Sequence, residues 1–155
     1  MKITFMGAGS TVFARNVLVD CMLSESFCES TFALYDINAA RLKESRVILE
    51  AYREKTACRC KIECYLGVEN RKEALRGANF VICAIQVGGY EPSTKIDFEI
   101  PKKYGLRQTI GDTLGIGGVM RALRTIPVLS DFARFLRKHK NNKTIKTLTS
   151  CKKSN

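Results

Sequence analysis

The stretch that most constrains this chain is its opening one, Ile3-Thr4-Phe5-Met6-Gly7-Ala8-Gly9-Ser10. A short apolar run stopped by glycine reads as a buried parallel-sheet strand that enters a tight turn and then a helix. Gly7 and Gly9 let the backbone turn sharply and approach a bound pyrophosphate. Ser10 begins a helix whose free N–H groups face that anion. The full dinucleotide pattern G-x-G-x-x-G has a third glycine where this chain has Val12, which predicts a first helix packed slightly further from the first strand.

A second apolar run, residues 31–35, ends at Asp36. A carboxylate at the tip of the second strand accepts hydrogen bonds from an adenosine ribose diol and repels a 2′-phosphate, which favours NAD over NADP. The same residue also suits a plainer role, capping a helix that begins near Asn38. From the residues alone both readings stand.

The chain then alternates helix and strand. Val12, Leu18, Val19, Met22 and Leu23 recur at helical spacing over residues 10–24, with Phe13 able to join them, and Leu42, Ile48, Leu49 and Tyr52 form the inward set of a charged helix over residues 38–56. Strands are predicted at 61–66 and 79–85, with a short helix at 71–76 that stops near Gly77. The pattern predicts an α/β fold, a Rossmann-like doubly wound parallel sheet with ligands at the carboxyl ends of its strands. The fourth strand runs into Gln86-Val87-Gly88-Gly89-Tyr90, read either as a close approach to the nicotinamide side of a cofactor or as a plain glycine loop. Ile100-Pro101-Lys102-Lys103-Tyr104-Gly105 closes a short helix. Asp112-Thr113-Leu114-Gly115-Ile116-Gly117-Gly118 suits a loop that wraps a small ligand. A long helix from about Val119 carries Leu123, Ile126 and Leu129 inward toward Phe132, Phe135 and Leu136, with a kink expected at Pro127.

Charge and cysteine narrow the function classes. The net charge is +11, but seven Lys or Arg and no acid fall in residues 137–155. The excess is largely a basic tail without interleaved aromatics, which argues against nucleic-acid binding. Seven cysteines in a chain with no leader read as free thiols. Cys58, Cys60 and Cys64 lie close enough to suggest a metal site, but no histidine or fourth thiolate is near, and Cys60 and Cys64 read better as small core residues sharing one strand face. No apolar run reaches the roughly 18 residues that cross a bilayer. The expectation is a soluble, cytoplasmic protein with no membrane partner, comprising a dinucleotide-binding domain over residues 1–137 and a divergent basic tail over 138–155.

Taken together, Met6-Gly7-Ala8-Gly9-Ser10-Thr11, Leu34-Tyr35-Asp36, Ala84-Ile85-Gln86-Val87-Gly88-Gly89, the Ile100–Gly105 motif and Gly115-Ile116-Gly117-Gly118-Val119-Met120-Arg121-Ala122-Leu123-Arg124 resemble the NAD- and manganese-dependent glycoside hydrolases of family 4, in register to about Arg137. This group comprises α-galactosidases, α-glucosidases and 6-phospho-glycosidases, and the loop at Asp112 is more similar to the α-galactosidase branch. The resemblance implies a redox-assisted elimination, an exception to the two-carboxylate rule of glycosidases. In it, hydride passes from sugar C3 to NAD, Mn2+ polarises the ketone and a tyrosine removes the C2 proton. It places Gly7, Gly9, Ser10, Asp36 and Gln86 at the cofactor, and Asp112 where a negative charge makes the base tyrosine more basic. The implied substrate is a small α-glycoside.

Departures from the family accompany the match. The family's metal-binding Cys and His and its base tyrosine lie beyond this chain. Residues 140–155 lack the apolar strand and the Asn-x-x-Asn-Pro motif expected there, as in a frame-shifted or prematurely ended reading frame. Cys151 and His139 therefore inherit no role, and no metal ligand is assigned. The expected sheet is incomplete relative to the family, with a weak edge strand over 144–149, a protease-sensitive tail and an exposed apolar patch. The isolated chain is expected to be inactive, and a homo-oligomer remains open. Two alternatives are a stand-alone NAD-binding module and a small NAD-dependent dehydrogenase. The second needs a His paired with a carboxylate, and the one histidine, His139, sits in the tail.

Overall fold

A computed structural model describes residues 1–109 and 115–138, and the backbone of 146–149. Its elements run β1 (Lys2–Met6), α1 (Thr11–Leu23), β2 (Thr31–Asp36), α2 (Ala39–Lys55), β3 (Lys61–Leu66), α3 (Arg71–Leu75), β4 (Phe80–Cys83), α4 (Lys95–Lys103), α5 (Ile116–Lys138) and β5 (Lys146–Thr149). The described residues divide into two compact units, one of residues 1–84 with 135–138 and 146–149, the other of residues 85–109 with 115–134.

In the first unit the strands form one parallel sheet in the order β3-β2-β1-β4-β5. The register explains why β1, β2 and β4 are nearly continuous apolar runs. Ile3 pairs with Phe32, and Phe5 pairs with both Leu34 and Ile82, so these side chains share one face and form the core with Ala14, Leu18 and Met22 of α1 and Leu42 and Leu49 of α2. Phe13 packs against Phe5 with ring centroids 5.6 Å apart. On the opposite face Thr4 is fully buried, and its hydroxyl donates to the Ala74 carbonyl of α3 at 2.8 Å. Both faces of the central strand are covered, as a doubly wound parallel sheet requires. Gly77 ends the turn after α3 with φ +70°.

Several inward-facing assignments change. Val12 and Leu23 are exposed, because helical geometry turns Ala14, Leu18 and Met22 to the sheet instead. Val12, which stands where the dinucleotide pattern has its third glycine, is 64% exposed. In α2 the buried set is Leu42, Ser45 and Leu49, with Ile48 at the margin and Tyr52 exposed. Cys60 is buried and Cys64 exposed, since β3 forms one edge of the sheet and is largely open to solvent. Lys146–Thr149, inside the stretch read as a basic tail, pairs parallel with β4 at the other edge, where the sequence suggested only a weak strand.

In the second unit an irregular turn over Gly89–Thr94 leads into α4. The long helix α5 starts three residues earlier than its periodicity suggested and runs through Pro127. Leu123 and Ile126, read as inward, are exposed at 70% and 56%, and with Ile116 and Val119 they form an apolar stripe. Phe132 and Phe135, further along the helix, are buried as expected.

Candidate functional site

The glycine turn in the first unit is built by the tips of two strands. The N–H groups of Gly7 and Ala8 both donate to the Tyr35 carbonyl, at 2.9 and 2.8 Å, and Ser10 N donates to Gly7 O at 3.1 Å. Gly7 makes the turn with φ +89°. Gly9 N donates to Asp36 Oδ2 at 2.6 Å, while Asp36 Oδ1 accepts from Asn38 N at 2.9 Å. A Cβ on Gly9 would lie 2.6 Å from Asp36 Oδ2 and 2.9 Å from Arg41 Cβ, so only glycine fits beneath that carboxylate.

Asp36 therefore braces the turn as well as lying at the tip of β2. A carboxylate has about four acceptor directions, so two backbone donors leave room for a diol. The helix-cap alternative is resolved by Asn38, which is the N-cap of α2 and whose side chain accepts from Arg41 N at 3.1 Å. Ser45, buried on α2, donates to Ala8 O at 2.6 Å and ties that helix to the middle of the turn. Composition gave no sign of Ser45, because a serine inside an amphipathic helix resembles any small polar residue. Ser10 is the N-cap of α1 but makes no side-chain cap bond, so the first-turn N–H groups of α1 gain no partner from it. Helix starts leave these donors for an outside acceptor.

Gln86 belongs to the second unit, where its Nε2 donates to Thr94 Oγ1 at 2.5 Å, leaving the amide oxygen without that duty. The turn closes with Gly89 N on Gln86 O at 3.3 Å. Next to it, the fully buried Asp97 of α4 receives a two-pronged bond from Arg124 of α5, Nη1 to Oδ1 at 2.9 Å and Nη2 to Oδ2 at 2.5 Å. This bond raises the guanidinium's already high pKa. The pairing of Asp97 with Arg124 crosses two helices and has no sequence signature. A shallow cleft of about 350 Å³ in this unit is lined by Tyr90, Thr94, Lys95, Phe98, Glu99 and Thr109.

Gly7, Gly9, Ser10 and Asp36 are thus brought together, and Gln86 lies in the other unit. Asp112, His139 and Cys151 lie outside the described residues. Among the described residues no three His, Cys, Asp or Glu side chains gather as a metal site. Cys58 instead donates its thiol to the Cys28 carbonyl at 2.9 Å, and burial pushes the Cys60 thiol up to about 12. At the glycine turn a Cβ on Gly9 would meet Asp36 and Arg41, and the start of α1 receives no side-chain cap from Ser10, so the turn keeps the bare backbone that a dinucleotide's pyrophosphate requires. Among the described residues no helix is long and apolar enough to cross a membrane.

Comparison with known proteins bears on the family and the fold. Residues 2–145 match the sequence family described as family 4 glycosyl hydrolase. The chain belongs to this family. It is 60% identical over 133 residues to an α-galactosidase of Bacillus subtilis, covering 86% of this chain and 30% of that protein. It is 36% identical over 139 residues to an α-galacturonidase of Thermoanaerobacterium saccharolyticum, covering 90% and 29%. Among solved structures it is similar to the 6-phospho-β-glucosidase of Thermotoga maritima, determined with manganese, NAD+ and glucose-6-phosphate. That match has a TM-score of 0.74 and 27% identity, and covers 96% of this chain and 34% of the other. This family 4 chain therefore spans about 30% of the length of the curated relatives it matches, and its sheet is the Rossmann-like part of a larger fold.

Proposed function

We propose that this chain is the NAD-binding portion of a family 4 glycosidase of α-galactosidase type. The observation that carries the reading is the Gly9–Asp36 contact. It places a carboxylate at the tip of β2, directly over a glycine turn that opens onto the start of α1, in a chain 60% identical to an α-galactosidase. Bound NAD would supply a reversible hydride acceptor. Gly7 and Gly9 keep side chains away from the pyrophosphate, the first turn of α1 donates to it, and Asp36 accepts from the adenosine ribose. Gln86 contributes its amide to the nicotinamide side, and Asp112 raises the basicity of a tyrosine that the family supplies from elsewhere. The substrate is an α-galactoside. We propose further that the 155-residue chain by itself hydrolyses none, since no manganese site forms among its described residues.

Calorimetric titration of the 155-residue chain tests the cofactor reading. NAD is expected to bind more tightly than NADP, and Asp36→Ala is expected to weaken NAD. Absence of NAD binding by the folded chain, or an unchanged affinity in Asp36→Ala, refutes it. Hydrolysis of an aryl α-galactoside with NAD and manganese, co-purifying with the chain and lost in Gly9→Trp, would refute the inactivity.

A further inference from the structure

Arg41 occupies an unusual position at the glycine turn. It lies in the first turn of α2, and its Cβ would be 2.9 Å from a Cβ on Gly9, so its stem packs over the same glycine that Asp36 covers. It is solvent-exposed, and among the described residues its guanidinium has no hydrogen bond or ion pair. Its backbone N–H is held by the Asn38 cap at 3.1 Å, which fixes where the side chain starts. Asp36 has one oxygen committed to Gly9 N and the other to Asn38 N. Arg41 thus starts beside the turn that Asp36 covers, with a side chain long enough to bring its guanidinium to the adenosine 2′ position.

We propose that Arg41 sets how strictly the site discriminates between NAD and NADP, its guanidinium offsetting the charge of Asp36 toward a 2′-phosphate. The proposal rests on the cofactor reading above. A carboxylate alone repels the phosphate, whereas a planar guanidinium next to it binds phosphate oxygens by charge-assisted hydrogen bonds. NAD has only a hydroxyl at this position and gains little from Arg41. NADP binding is therefore weaker than NAD binding, but by a margin that Arg41 keeps small.

The test is the pair of dissociation constants for NAD and NADP, measured by calorimetry on the full 155-residue chain at low salt, for the wild type, Arg41→Ala and Arg41→Lys. In Arg41→Ala the NADP constant is expected to rise about fivefold or more and the NAD constant by less than about twofold, against the tenfold that 1.4 kcal/mol represents. Arg41→Lys should recover most of the NADP loss because it keeps the charge. Raising the salt should shrink the difference between wild type and Arg41→Ala, since the contact is solvent-exposed. An NADP-to-NAD ratio that is the same in wild type and Arg41→Ala overturns the proposal. So does a parallel rise in both constants, which would mark Arg41 as a structural support of the turn. If the folded wild-type chain binds neither nucleotide, the cofactor reading itself falls and takes this proposal with it, an outcome distinct from the other two.

Discussion

Replacing Gly9 by alanine tests the central geometry with one methyl group. The new Cβ would sit 2.6 Å from Asp36 Oδ2, 2.9 Å from the Asp36 carboxyl carbon and 2.9 Å from Arg41 Cβ. An isolated carboxylate would swing away at little cost, but this one is held by Gly9 N at 2.6 Å and Asn38 N at 2.9 Å. Arg41 Cβ cannot retreat without moving the first turn of α2, which Asn38 caps. The least costly response is for Asp36 to rotate and release Gly9 N. Hydrogen bonds to a charged group contribute about 1.5–3 kcal/mol, so Gly9→Ala should destabilise the chain by about that amount. Urea unfolding followed by circular dichroism reads the stability. Under the proposed cofactor reading, in which Asp36 meets the ribose, calorimetry should show NAD affinity falling at least about tenfold. A Gly9→Ala chain as stable as wild type, with unchanged NAD affinity, would show that Asp36 does not brace this turn.

Two further outcomes are expected. Breaking a buried ion pair costs about 3–5 kcal/mol. Because the Arg124 side chain is 28% exposed and can turn toward water, Asp97→Ala should cost less, about 2 kcal/mol. The Asp97→Leu/Arg124→Met double variant should be destabilised by less than the two single losses combined, and additive losses in urea unfolding would show that the pair is not coupled. Alkaline titration should erode stability. The Cys60 thiol is raised from 9.0 to about 12 by burial, and the Tyr65 phenol from 10.0 to about 12 by burial and its bond to Glu63. Both groups hold their proton more tightly when folded, so their contribution is complete below pH 9 and is lost as the pH rises from 9 toward 12. A urea midpoint that stays flat between pH 9 and 11 would contradict this.

Strand and helix order was legible in the residues because it follows from local pattern. The apolar runs at β1, β2 and β4, the glycines at Gly7, Gly9 and Gly77 and the helical periodicity of α2 each act over a few residues, and β3 falls where the sequence placed it. That Gly7, Gly9, Ser10 and Asp36 would come together was also legible, since each stands at the end of a strand or the start of a helix.

What local pattern could not decide was which neighbours each side chain would meet. Helical spacing allowed Val12, Leu23, Leu123 and Ile126 to face inward, but all four are exposed, and in α1 it is Ala14, Leu18 and Met22 that turn to the sheet. The position of Cys64 depended on β3 being an edge strand, and the pairing of Lys146–Thr149 on β4 required a free edge to receive it. The contacts that shape each unit are longer in range: in the first, Asp36 on Gly9 spans 27 residues and Ser45 on Ala8 spans 37, and in the second, Asp97 with Arg124 spans 27. Such pairs arise when separate elements are packed together, and hydrogen-bonding partners that distant leave no periodicity to read. The sequence by itself determined that a carboxylate would stand at the tip of the second strand. Only the tertiary structure decided that this carboxylate closes over Gly9 with Arg41 beside it, because that arrangement depends on how α2 packs against the turn.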